Sequence, residues 1–155
     1  MNACLTCKAD KVKEEDGICP FTLGDDQLPL RCVGFWAKDK LYYLQRYMGV
    51  FNSSMKTKWP KRAYVELFAG PGLGIVSNSD HVTYGSPHLA IEQAVPFTRH
   101  IFVDINPDAI AALEKRIKQL KPMADVKLII GDCNTSVEEI RKSVDSSYLG
   151  VFYLR

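Results

Sequence analysis

The sequence predicts an α/β domain organised around a parallel sheet. Two patterns lead there. From residue 63 onward, short apolar β-type runs alternate with helical segments, and the first run passes directly into the glycine turn Gly70-Pro71-Gly72. The composition fits. A chain of 155 residues, 46% hydrophobic and 25% charged, is long enough for one domain with one sizeable core, and it excludes disordered, collagenous and coiled-coil classes.

Residues 1–34 contain Gly17, Gly24, Gly34, Pro20 and Pro29 and no sustained hydrophobic period, so an irregular, cysteine-containing N-terminal arm is expected. Residues 35–51 set Leu41, Leu44, Met48 and Phe51 at helical spacing. This amphipathic helix is expected to turn its aromatic stripe into the core. Residues 63–68 form the first strand, and residues 87–94 read as a helix. Residues 100–104 form the second strand. Asn106 as N-cap and Pro107 at the first helical position then open a helix to about residue 120, and Pro122 stops it. Residues 126–130 are the third strand, ending in Gly131-Asp132. Thr135 and Glu138 have capping-box spacing for a helix to about residue 144. Residues 150–154 are the fourth strand. Such alternation implies parallel pairing, right-handed crossovers and a sheet covered on both faces, an open fold of the Rossmann kind.

Ligands of such sheets bind beyond the carboxyl ends of the strands. A strand entering Gly-x-Gly allows a ligand to approach the backbone, although such turns also occur with no ligand. Three acids stand with this turn. Asp104 ends the second strand, where a carboxylate can accept both hydroxyls of a ribose. Asp132 follows the third, where a side chain can reach an adenine amino group. Glu66 lies in the first, able to meet the polar end of a cofactor directly or through water. Each could singly be a solubilising charge or a cap. Three on successive strand ends point to one site.

The segment Glu66-Leu67-Phe68-Ala69-Gly70-Pro71-Gly72 resembles the first motif of class I S-adenosylmethionine-dependent methyltransferases. More narrowly, the chain resembles the three-Cys-motif partner protein family. The matching residues are Trp36, Lys40, Leu41 and Tyr47; the glycine turn; Gly85-Ser86-Pro87; Phe102-Val103-Asp104 with Asn106-Pro107; and Gly131-Asp132-Cys133-Asn134. The resemblance covers residues 35–154. It implies a methyltransferase-like Rossmann domain that binds S-adenosylmethionine. Glu66, Gly70 and Gly72 would meet the methionine portion, Asp104 the ribose and Asp132 the adenine. Phe68, Ile105 and Cys133 would complete the cofactor-binding set, with Asn134 beside it. The family name implies a partner carrying a three-cysteine motif, of radical-enzyme type. The interval from Gly72 to Asp104 exceeds the dinucleotide-binding spacing of about 20 residues and disfavours NAD. The family pattern would continue Leu154 with Asp-Pro, where this chain has Arg155. Residues 35–155 are therefore expected to be the N-terminal part of a longer domain. The acceptor-side motif is missing and no catalytic residue is assigned.

Other signals are weaker. Cys4, Cys7, Cys19 and Cys32 include one Cys-x2-Cys pair, but the second pair is widely spaced, so bound zinc is not expected. With no secretory signal and five cysteines, the thiols are expected to be reduced and the protein cytoplasmic. Cys133 reads as a pocket wall rather than a nucleophile. His81, His88 and His100 lack ligand spacing. Lys115, Arg116, Lys118 and Lys121 read as the outer face of a helix.

The net charge of +2 hides an asymmetry: residues 35–62 hold seven Lys and Arg against one acid. Lys56, Lys58, Trp59, Lys61 and Arg62 combine cations with an aromatic, the residue types that attract phosphates and stack bases. Three readings stay open: a cofactor-binding methyltransferase-like domain, a non-catalytic partner module, and a zinc-stabilised nucleic-acid binder.

Overall fold

The structure is a computed structural model that describes residues 18, 19 and 22–154. Its elements in chain order are β1 (Arg31–Val33), α1 (Ala37–Met55), β2 (Arg62–Leu67), β3 (Leu73–Val76), β4 (Val82–Tyr84), α2 (Ser86–Ile91), β5 (Arg99–Asp104), α3 (Pro107–Leu120), β6 (Val126–Ile130), α4 (Val137–Ser143) and β7 (Leu149–Leu154). Four strands form an all-parallel sheet in the order β6-β5-β2-β7. The expected α/β class with parallel pairing holds.

Residue alternation along the strands divides the core into two layers. Tyr64 and Phe102 face one side, where Met48 of α1, Ile91 of α2, and Leu113 and Ile117 of α3 cover them. Val65, Ile101, Val103 and Ile129 face the other, under Ile140 of α4. Successive connections build outward from β2 through β5 to β6. The chain then crosses back to add β7 on the far side of β2. Strand order therefore reverses beside β2, and open α/β sheets place their ligand crevice at such a switch point.

Local chemistry accounts for the helix starts. The Asn106 side chain accepts hydrogen bonds from the Asp108 and Ala109 amides, at 2.8 and 3.2 Å, and Pro107 occupies the first turn. The capping box expected at Thr135 and Glu138 does not form. Both the Thr135 and Ser136 hydroxyls donate back to the Asp132 carbonyl, and Glu138 pairs with Arg141.

Of the arm expected over residues 1–34, residues 22–30 form a turn closed by a Leu23–Pro29 bridge, and Arg31–Val33 form a strand. β1 pairs parallel to β3, which pairs antiparallel to β4. Leu30, Cys19 and Ile75 share a small apolar cluster at this second sheet. Strands of three and four residues are too short to display a period, which is why the sequence conceals them.

The aromatic stripe of α1 is also corrected. Leu41 and Met48 are buried as expected, with Leu44 and Phe51 packed at the margin of the core. Trp36, Tyr42, Tyr43 and Tyr47 instead point outward. No helix among the described residues is long and apolar enough to cross a membrane.

Candidate functional site

The carboxyl ends of β2, β5 and β6 meet at one margin, and Asp104 joins them. Its Oδ2 accepts the Gly70 amide at 2.7 Å and its Oδ1 the Asn106 amide at 3.0 Å. Its main-chain carbonyl accepts the Gly131 amide, also at 3.0 Å. The glycine turn, the end of β5 and the loop after β6 are thereby locked together. Asp104 is itself buried, and each carboxylate oxygen formally retains a further lone pair.

The turn itself is built from left-handed backbone. Phe68, Gly70 and Gly72 have φ of 63°, 68° and 87°. For Phe68 this conformation costs about 1–2 kcal/mol. Its half-exposed ring and the exposed Ile105 give the margin two apolar surfaces. The Arg31 guanidinium reaches the Phe68 carbonyl at 3.4 Å. Gly72 also has a packing role that the sequence did not show. A Cβ there would stand 2.8 Å from Leu113 Cδ1 and 2.9 Å from His88 Cε1, so this glycine seats the turn on α2 and α3.

Glu66 lies beneath the turn and is fully buried. Tyr64 Oη donates to its Oε2 at 3.0 Å, and Ser86 Oγ donates to its Oε1. The sequence placed Glu66 in contact with a ligand's polar end, but here it is part of the floor. Asp132 is exposed; its Oδ1 accepts the Asn134 amide at 2.8 Å. Cys133 is buried at the same margin. Burial pushes its thiol pKa up; the Phe68 backbone opposes this, while the nearby Asp132 and Asp104 charges reinforce it. A raised pKa keeps less of the thiol as the nucleophilic thiolate.

Sequence reasoning missed the supports. Arg116, read as part of an outer helix face, is buried. Its Nη1 donates to the Pro71 carbonyl at 2.6 Å and the Pro29 carbonyl at 2.9 Å, and its guanidinium holds Asp26 at 2.7 Å. One side chain thus clamps the glycine turn to residues 26–29. His88 is buried against the same turn. Burial first, then the Arg116 charge, lowers its pKa to about 4, so it is neutral at pH 7.

Arg62 belongs to no exposed basic run. It is buried, with its guanidinium on Asn52 Oδ1 and on the carbonyls of Trp59, Pro60 and Pro96. Lys61 contacts Ser147 and lies over the Tyr148 ring, which leaves Lys56 and Lys58 with the half-exposed Trp59. Cys4 and Cys7 lie outside the described residues. Cys19 and Cys32 pack in the apolar cluster of the second sheet. Among the described residues no three His, Cys, Asp or Glu gather as metal ligands.

The margin therefore combines an exposed carboxylate, a second carboxylate with acceptor capacity left, two apolar surfaces and a rigid turn. Such an arrangement offers hydrogen-bond acceptors beside apolar surface. No protein-family model, curated protein or solved structure matches the chain.

Proposed function

We propose that this margin binds S-adenosylmethionine, as part of a methyltransferase-like domain of the three-Cys-motif partner type. The observation that carries the reading is the Asp104 junction, which brings the Gly70 turn and the Gly131-Asp132-Cys133 loop to one edge at a topological switch point. Asp104 would use its remaining lone pairs on the ribose. Asp132 would accept from the adenine amino group, with Phe68, Ile105 and Cys133 as apolar walls. Glu66 acts from below, fixing Tyr64 and Ser86 under the turn. When bound, the cofactor supplies a sulfonium methyl group for transfer. The chain contributes orientation and exclusion of water, the terms that a rigid apolar margin provides.

Calorimetric titration with S-adenosylhomocysteine tests this. Saturable heat and a rise in melting temperature are expected, with affinity reduced about tenfold in Asp132→Ala. Asp132 is exposed, so the variant keeps its fold. No heat and no thermal shift at millimolar ligand, or tighter binding of NAD, would contradict the proposal.

A second reading, a non-catalytic partner module, draws on β7. Among the described residues it is an edge strand, with Phe152 62% and Leu154 65% exposed. A well-behaved monomer by light scattering counts against it.

A further inference from the structure

The outer face of α1 carries an arrangement that the cofactor margin does not use. It touches the rest of the fold where Lys40 lies over Tyr153, and Tyr47 stacks on Phe51 at the edge of the core. Trp36, Lys40, Tyr43, Tyr47 and Val50 recur at intervals of four and three residues, which aligns them in one stripe along the helix. The three rings are 64%, 69% and 59% exposed. Tyr43 and Tyr47 stand one turn apart, about 6 Å along the axis. Beside the stripe, the Arg46 guanidinium lies over the Tyr42 ring at 5.5 Å and donates to its hydroxyl.

Charge decides what such a surface attracts. Lys38, Lys40, Arg46, Lys56 and Lys58 are all exposed, and among the described residues none of them makes an ion pair. Among the described residues, five cations elsewhere are paired: Arg99 with Asp125, Arg116 with Asp26, Lys118 with Glu114, Lys127 with Glu139, and Arg141 with Glu138. Asp39 is the single acid in residues 35–62. Exposed rings interleaved with unneutralised cations are the two components of a single-strand binding platform: rings stack bases, and cations meet phosphates. An apolar partner surface would match the rings but leave the cations uncompensated.

We infer that the outer face of α1 is a binding surface for single-stranded nucleic acid, with Trp36, Tyr43 and Tyr47 as stacking rings and Lys38, Lys40 and Arg46 as phosphate contacts. The surface runs toward the sheet's carboxyl ends: Lys40 Nζ sits 5.4 Å from the Tyr153 ring, near the end of β7. A strand lying along α1 is thereby led to the margin described above. The inference stands without the cofactor reading, because its test contains no cofactor.

The test is fluorescence anisotropy of the full chain with labelled 20-mers of oligo(dT) and oligo(U). Binding of at least one is expected, weakened on the order of 50-fold between 50 and 200 mM salt if about four phosphates are contacted. Tyr43→Ala with Tyr47→Ala should weaken it at least about tenfold, since each stacked base is worth that order. Lys38→Gln with Lys40→Gln should flatten the salt dependence. Circular dichroism verifies that these surface variants stay folded. A preference for oligo(U) or for oligo(dT) assigns the strand to RNA or DNA. No binding to either, binding that ignores both sets of substitutions, or concentration-dependent dimerisation abolished by Tyr47→Ala overturns the inference; the last would mark a self-association face.

Discussion

The carboxyl margin of the main sheet and the outer face of α1 handle polar groups in opposite ways. At the margin, Asp104 accepts two amides through its side chain, and Glu66 and Arg116 are buried with their partners around them. Along α1, cations and rings stand in solvent with Asp39 as the one acid among them. A region that binds a small ligand must be held rigid in advance, because a misplaced contact loses most of its value. A region that attracts a flexible polyanion works through charge density and flat rings, and gains little from a fixed scaffold. The same residue types, arginine and tyrosine, serve as scaffold in one place and as surface in the other.

The comparison breaks most severely at Arg116. Arg116→Ala removes the clamp from Pro71 and Pro29 and strands Asp26, whose carboxyl the guanidinium now holds below its usual range. A loss of about 3–4 kcal/mol in urea unfolding is expected, together with weaker S-adenosylhomocysteine binding. Oligonucleotide binding by the folded fraction should be unchanged. A loss under about 1 kcal/mol would show that the clamp is dispensable.

Acid gives the next largest effect. His88 is neutral in the fold and titrates near 4, against about 6.5 when unfolded. The unfolded chain therefore takes up the proton first. Stability is complete above about pH 6.5 and falls as the pH drops toward 4, by about 3 kcal/mol in all. Burial lowers the His100 pKa too and adds loss of the same sign. Urea unfolding at pH 7, 5.5 and 4 measures this, and a flat profile would remove the buried neutral histidines from the account.

Gly72→Ala follows. The added methyl meets Leu113 and His88 at a φ of 87°, so a cost of about 2 kcal/mol is expected, felt as a displaced turn. A neutral outcome in thermal unfolding would mean that the turn has slack.

How much of this was legible follows from range in sequence. Asn106-Pro107 and the apolar strands announce themselves locally, and the structure contains them. The convergence of Gly70, Asp104 and Asp132 was also readable, because strand ends in a parallel sheet share a margin. The roles were less so. Glu66 looked like a ligand contact, yet it lies buried under the turn, and nothing local in the sequence showed that Asp104 also anchors that turn. Arg116 lies among Lys115, Lys118 and Lys121, and its partner Asp26 is 90 residues away, so no local pattern marks it. Arg62 was hidden in the same way among Lys58 and Lys61. The α1 aromatics were misplaced because helical spacing identifies a stripe without saying which side of the helix the core takes, and Leu41 and Met48 took it.

The most direct test of the central claim is the backbone amide spectrum of the full chain titrated with S-adenosylhomocysteine. The account predicts saturable shifts concentrated at Phe68 to Gly70, at Ile105 and at Asp132 to Cys133, with the amides of α1 left in place. Shifts confined to α1 or to the second sheet, or no shifts at saturating ligand, would contradict it.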